Sequence, residues 1–138
     1  LIAGPITEDY KDKETTFPGN TIILGSITKE KVYELLDETD VFLFPTYTEG
    51  FSVSLLEAMA HGVPCLTTNT GANYEMIENK GGVVVPALCN GLKQMESLDV
   101  RKRMSQWNIE KVKKSYTSDK VFDSLINIYG EVLNENAF

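Results

Sequence analysis

Positive charge is scarce in this chain. Of 138 residues, 13 are Lys or Arg against 20 Asp or Glu, which leaves a net charge of −7. Proteins that grip nucleic acid carry a basic footprint, so no nucleic-acid partner is expected. Histidine occurs once, at His61, and cysteine twice, at Cys65 and Cys89. The cysteines form no C-x-x-C pair and have no histidine cluster beside them, which argues against a zinc site. Cys65, in the apolar run PCLTT, reads as a buried, reduced thiol, and a cytoplasmic setting is the expectation. No apolar run is long enough for a membrane-spanning helix. The opening LIAGPITEDY lacks the basic-then-apolar order of a signal peptide. Repeats and low-complexity linkers are also missing.

What is present is an alternation of short apolar runs with helix-like stretches, in a length that suits one domain over residues 1–138. Leu1 is not a methionine, and LIAG reads as the end of a buried strand. The expectation is a piece of a longer protein, with a processed mature chain as the alternative. TIILG, VFLF, PCLT and GVVVP read as further strands. Thr7–Asn20 is polar, ends in a Pro-Gly-Asn turn signal, and reads as a loop with at most a short helix. In KEKVYELLDET, Val32, Leu35 and Leu36 share one helical face, and Thr28 can cap it. LLEAMAH reads as a short apolar helix ended by Gly62 and Pro64, and YEMIEN as a helical turn. From about Ala87 the chain reads as helical, with breaks near Asp99 and near Thr117-Ser118. Continuous apolar strands separated by helices imply an α/β fold, a doubly wound, Rossmann-like parallel sheet with flanking helices.

In such sheets ligands sit beyond the carboxyl ends of the strands. EGFSVSLLE follows VFLF at that place and holds two acids, Glu49 and Glu57, in otherwise uncharged surroundings. Gly50 offers a tight turn and a close backbone approach to a ligand. A helix starting around Ser52 to Ser54 would aim its unpaired N–H groups at the ligand edge, where a phosphate is favoured. Glu57 lies among apolar neighbours, and a buried carboxylate needs partners. A vicinal diol of a sugar or ribose would serve. Two plainer readings stand beside this one. Ser54-Leu55-Leu56-Glu57 fits the S-x-x-E capping box, and Glu49 fits an exposed turn residue.

Taken together, EGFSVSLLEAMAHGVPCLTT, GANYEMI and GGVVVP resemble the E-x7-E region of glycosyltransferase family 4, retaining enzymes of the GT-B fold. The likeness runs from LIAG to about Tyr129 and is densest between Asp40 and Pro86. It implies that the chain is most of the C-terminal, nucleotide-sugar-binding domain. By resemblance, Glu49 is the catalytic residue and contacts hydroxyls of the donor sugar, while Glu57 binds the donor through its ribose hydroxyls. Backbone N–H groups of Phe51, Ser52, Val53 and Ser54 would meet the diphosphate, with Gly50 beside them, and Gly25 and Ser26 would lie near the base. The family's Arg and Lys for the diphosphate, on the first strand–helix unit, would lie upstream of Leu1, and the N-terminal domain that binds the hydroxyl acceptor further upstream. No metal or other cofactor is implied, and the sequence has no D-x-D at a strand end. The resemblance further implies polysaccharide or glycolipid synthesis, with possible peripheral contact at the cytoplasmic membrane face. Departures are Ser52 where glycine is common, Ser54 where valine is common, and Gly71-Ala72-Asn73-Tyr74-Glu75 in place of G-G-x-P-E. The last bears on how closely that loop approaches the sugar. A non-catalytic nucleotide-sugar-binding module and a GT-B-type sugar-nucleotide epimerase are the competing functions.

Three other features have structural readings. His61, before Gly62, suits a helix C-terminus. Arg101, Lys102, Arg103, Lys111, Lys113 and Lys114 read as a solvated helix face, with Val100, Met104 and Trp107 packing on the sheet. A membrane-surface helix is the alternative. In the last helix, capped by Ser118, Val121, Phe122, Leu125, Ile128 and Leu133 make an apolar stripe that reads as packing. By the resemblance the last helix often crosses to the partner domain, and without that domain part of the stripe would be exposed and drive self-association.

Overall fold

A computed structural model describes residues 1–5, 17–86 and 88–135. The expected loop Thr7–Asn20 falls mostly outside them. The chain divides into two compact units, Leu1–Glu38 and Thr39–Phe138.

In the first unit, β1 (Ile2–Ala3) pairs in parallel with β2 (Ile23–Gly25). Helix α1 (Lys29–Asp37) follows, and the Thr28 hydroxyl accepts from the Lys31 amide at 3.3 Å, the expected N-cap. Val32 and Leu35 are half-buried and Leu36 is buried, so the predicted face is the inner one.

The second unit holds β3 (Phe42–Phe44), α2 (Val53–Ala60), β4 (Cys65–Thr67), α3 (Asn73–Ile77), β5 (Gly82–Val84), α4 (Cys89–Leu92), a 3-10 turn (Lys93–Met95), α5 (Leu98–Ser115) and α6 (Ser118–Glu135). Its strands pair in parallel in the order β3-β4-β5. Every strand pairing among the described residues is parallel, as the continuous apolar runs predict. The hydrogen bonds fall into a two-stranded and a three-stranded ladder, and the ladders are shorter than the apolar runs. Cys65, Leu66 and Thr67 are all buried, so β4 is covered on both faces. One face carries Leu66, packed with Val83, Val85, Met95 and Met104. On the other, Asn73 of α3 donates to the Thr67 hydroxyl at 3.0 Å. Each fully buried Leu or Met contributes about 1.5–3 kcal/mol.

Helix α5 is tied to the amino-terminal side of the sheet. Asn108, fully buried, donates from Nδ2 to the carbonyls of Val63 and Gly81, at 2.8 Å each. Those carbonyls precede β4 and β5. Gly62 (φ +70°) ends α2 as expected, and a side chain there would meet Ser105 and Ile109 of α5. Helix α3 stops short of its predicted end because Glu78 and Asn79 turn left-handed, with φ near 52° and 51°. The Asn79 side chain then accepts from the Val84 amide at 3.0 Å. Arg101 caps the 3-10 turn through the carbonyls of Met95 and Glu96, both at 2.8 Å. Lys102, Arg103, Lys113 and Lys114 are exposed, in line with a solvated face, whereas Arg101 and Lys111 depart from it: both are half-buried, Arg101 holding the 3-10 turn and Lys111 pairing with Glu78.

The stripe on α6 departs from its packing reading. Val121, Phe122, Leu125, Ile128 and Leu133 are all exposed, from 46% to 72%. Ser118 is the first helical residue, and the Val121 amide bonds the Thr117 carbonyl at 3.0 Å. No helix among the described residues is long and apolar enough to cross a membrane.

Candidate functional site

The carboxyl end of β3 leads into residues 45–52, and α2 starts on the far side. Its start is set by Ser52, whose extended backbone (φ −83°, ψ 110°) lets the hydroxyl accept from the Leu55 amide at 3.3 Å. Ser52 is 3% exposed. The helix therefore begins two residues before a box on Ser54 would require. Glu57 is the fifth helical residue, in the second turn, and the capping-box reading is overturned: the residue three beyond the true cap is Leu55, which has no carboxylate. Ser52 also gains a reason for standing where glycine is common, since its side chain caps the helix.

The cap leaves the helix start usable. Leu55 is satisfied by the Ser52 hydroxyl, and the Leu56 amide by the Ser52 carbonyl at 3.1 Å. The amides of Val53 and Ser54, in the first turn, have no intrahelical acceptor by geometry. They lie at the positive end of the helix dipole. Phe51, Val53 and Ser54 are exposed there. Glu57 is half-buried between Leu55, Ala58 and Met59, all fully buried. Helical Cα–Cβ bonds tilt toward the N-terminus, so its carboxylate is set back toward the same helix start.

The loop that carries Glu49 is held by the next loop. The Thr46 amide donates to the Thr68 hydroxyl at 3.1 Å, and the hydroxyls of Thr68 and Thr70 both donate to the Thr46 carbonyl. The Thr67 hydroxyl donates to the Phe44 carbonyl at 2.9 Å. The Ala72 amide donates to the Gly50 carbonyl at 2.9 Å. Gly71 (φ +53°) passes so close that a Cβ there would lie 2.4 Å from the Glu49 carbonyl oxygen. Glu49 is half-buried, and one carboxylate oxygen lies 3.5 Å from the Thr46 hydroxyl, a long contact that orients it weakly. Gly50 differs from its tight-turn reading. Its φ is not positive, and nothing lies within 4 Å of a Cβ built on it. Open space above Gly50 fits the other reason given for it, close backbone approach by a ligand.

The structure thus gathers Glu49, Gly50, Phe51, Ser52, Val53, Ser54 and Glu57 on one loop–helix corner. Gly25 and Ser26 belong to the first unit, where Gly25 (φ +64°) closes β2 and Ser26 is exposed. Threonines 46, 68 and 70 were not singled out by sequence reasoning, and Gly71 entered it only as part of the G-A-N-Y-E departure. A hint lay in TTNT directly after a buried strand, since hydroxyls there can replace ladder hydrogen bonds. Tyr116 is a further residue without a local signal. It follows α5, and its ring meets the Phe51 ring edge-on at 5.6 Å, a contact worth about 0.5–1.5 kcal/mol. Lys111 lies over both the Tyr116 and Trp107 rings and pairs with Glu78 at 2.5 Å.

Two other places have less chemistry. Cys65 is buried and unbridged, its thiol donates to the Val63 carbonyl at 3.2 Å, and burial pushes its pKa up, so thiolate chemistry is disfavoured. A cavity of about 410 Å³ along β5, lined by Val83, Val85, Val100, Met104, Gln94 and Asn79 among others, contains no titratable side chain.

The family model described as "Glycosyl transferases group 1" matches residues 1–95. N-acetyl-alpha-D-glucosaminyl L-malate synthase of Bacillus anthracis is 28% identical over 115 residues, covering 78% of this chain and 30% of that protein. The capsular polysaccharide biosynthesis glycosyltransferase CapM of Staphylococcus aureus is 30% identical over 106 residues, covering 70% of this chain and 27% of that protein. Sucrose-phosphate synthase from Thermosynechococcus elongatus superposes with a TM-score of 0.74 at 19% identity, over 90% of this chain and 33% of that one. That likeness supports the fold alone. The chain spans about 30% of the length of the first of these relatives. The match over residues 1–95 makes the chain a member of the group 1 glycosyl transferases.

Proposed function

We propose that the full-length protein transfers a sugar, with retention of anomeric configuration, from a nucleotide diphosphate sugar to a hydroxyl acceptor, in polysaccharide or glycolipid synthesis. One observation carries the reading: two glutamates flank a capped helix start at the carboxyl end of a parallel strand, in a chain matched by the glycosyl transferase family. Glu57 accepts from the ribose hydroxyls. The amides of Phe51, Ser52, Val53 and Ser54 meet the diphosphate, and Gly50 lets it approach. Glu49 acts on the hydroxyls of the donor sugar. As the bond from the anomeric carbon to the diphosphate breaks, negative charge grows on the departing group, and donors aimed there lower the barrier. With a net charge of −7, this chain brings little cationic help. The compensating Arg and Lys, and the acceptor-binding domain, belong to the rest of the full-length protein, and transfer proceeds without a metal. The setting is cytoplasmic, with peripheral membrane contact.

Calorimetry with UDP, GDP and ADP and their sugars on the full-length protein tests this. Glu57→Ala is expected to weaken binding of the preferred nucleoside diphosphate by roughly 1.5–3 kcal/mol, the worth of a charged hydrogen bond. Glu49→Ala is expected to spare that affinity and lower the transfer rate. Unchanged nucleotide affinity in the Glu57 variant would remove the ribose assignment. The 138 residues alone are expected to show no transfer.

A further inference from the structure

The helix start that faces the diphosphate is exposed on one side. Phe51, immediately before the Ser52 cap, is 47% exposed. Thr46, Thr68, Thr70 and Gly71 hold the loop on its Glu49–Gly50 side, but none of their bonds described above reaches Phe51. What meets the Phe51 ring is Tyr116, edge-on with the planes at 64°. Tyr116 is half-buried and well anchored: its amide donates to the Val112 carbonyl at 2.9 Å, and the Lys111 ammonium lies 5.9 Å from its ring centre. Lys111 is itself paired with Glu78, beyond the end of α3. Two turns back along α5, Asn108 bonds the carbonyls of Val63 and Gly81. Tyr116 is therefore the tip of a helix fixed to the far side of the sheet.

Resting on the donor-site reading above, we propose that Tyr116 is a positioning residue for the diphosphate: its ring fixes Phe51, and through Phe51 the aim of the backbone amides at the start of α2. A phosphate held by backbone amides depends on their aim, because hydrogen bonds weaken steeply off axis. The ribose grip of Glu57, set one turn into a helix with a buried face, does not depend on Phe51. Tyr116 thus acts on the phosphates and spares the nucleoside.

The test measures inhibition constants of the full-length protein for a nucleoside diphosphate and for the matching nucleoside. Tyr116→Leu keeps an apolar side chain but removes the ring edge. It is expected to weaken the diphosphate about tenfold and to leave the nucleoside constant unchanged. Tyr116→Phe keeps the edge and should match the parent in both constants. A general packing defect would weaken nucleoside and diphosphate together and lower the melting temperature in step, which would overturn the proposal. So would a Tyr116→Leu protein with parental diphosphate affinity. Should Tyr116→Leu fail to fold, Phe51→Leu, which removes the same contact from the exposed side, must give the same selective loss or the proposal fails. A parent protein that binds no nucleoside diphosphate would overturn the donor-site reading, and this proposal with it.

Discussion

Gly50 and Gly71 show how two glycines can have opposite reasons. The motif drew attention to Gly50, yet its backbone and surroundings would accept a side chain from the chain's own standpoint. Gly71 was only a letter in G-A-N-Y-E, and it is the one that a turn with φ +53° and a carbonyl 2.4 Å from a would-be Cβ requires. Gly71→Ala is expected to destabilise the protein by roughly 1–3 kcal/mol or more, read as a lower midpoint in urea. Gly50→Ala should leave that midpoint within about 1 kcal/mol of the parent and should appear instead as weaker donor binding. Equal effects on stability would mean that the space over Gly50 is filled in solution. Single residues were legible where their role is local, as with the Thr28 cap and the Gly62 stop. Gly71 was not, because its constraint comes from Glu49 and Gly50 in another loop, far back in the sequence.

At the scale of elements, the sequence placed the described strands and helices in the right order, and the errors lie at their ends. Apolar runs mark what is buried rather than what is hydrogen-bonded in a ladder, so TIILG and GVVVP overstate their strands. The start of α2 was ambiguous between Ser52 and Ser54, since both are good caps, and tertiary contacts chose the first. The identity of α5 was legible from Val100 and Met104, but its attachment through Asn108 was not. An asparagine in mid-helix gives no sign of two carbonyls 27 and 45 residues away in sequence. Asn108→Leu removes the stronger donor from both buried carbonyls, leaving the Val63 oxygen with the Cys65 thiol and the Gly81 oxygen with the Cys65 amide, at a cost of roughly 1–3 kcal/mol in all. Chemical denaturation should show that loss. A variant as stable as the parent would show that water replaces the amide at the amino end of the sheet.

For the molecule as a whole, acidity sets the working range. The Glu78 carboxyl is held below its ordinary value of 4.5 by hydrogen bonds from Lys111 and then Lys80. The Lys111 ammonium is held above 10.5 by the same Glu78 bond. A depressed carboxyl adds stability that is present above its ordinary pKa and lost as pH falls through the folded value. A raised ammonium adds stability present below its ordinary pKa and lost as pH rises through the folded value. The pair therefore supports the fold across neutral pH and fails on acidification. That loss sets in below 4.5, and at the isoelectric point of about 4.7, just above it, charge repulsion between molecules vanishes and the exposed α6 stripe favours association. In melting curves, Glu78→Gln should lie slightly below the parent at pH 7, and the gap should close on acidification below 4.5. A gap independent of pH would assign the effect to something other than this charge. The threonine bonds between the 45–52 and 68–72 loops carry one last consequence. With the Ala72–Gly50 bond beside them, they place the amides of Thr46 and Ala72 in bonds of 3.1 and 2.9 Å outside any strand, so slow hydrogen exchange should extend past the ladders into the loops of the ligand edge. A donor then meets a surface that folding has already ordered, and the entropy of arranging that loop is spent before binding begins.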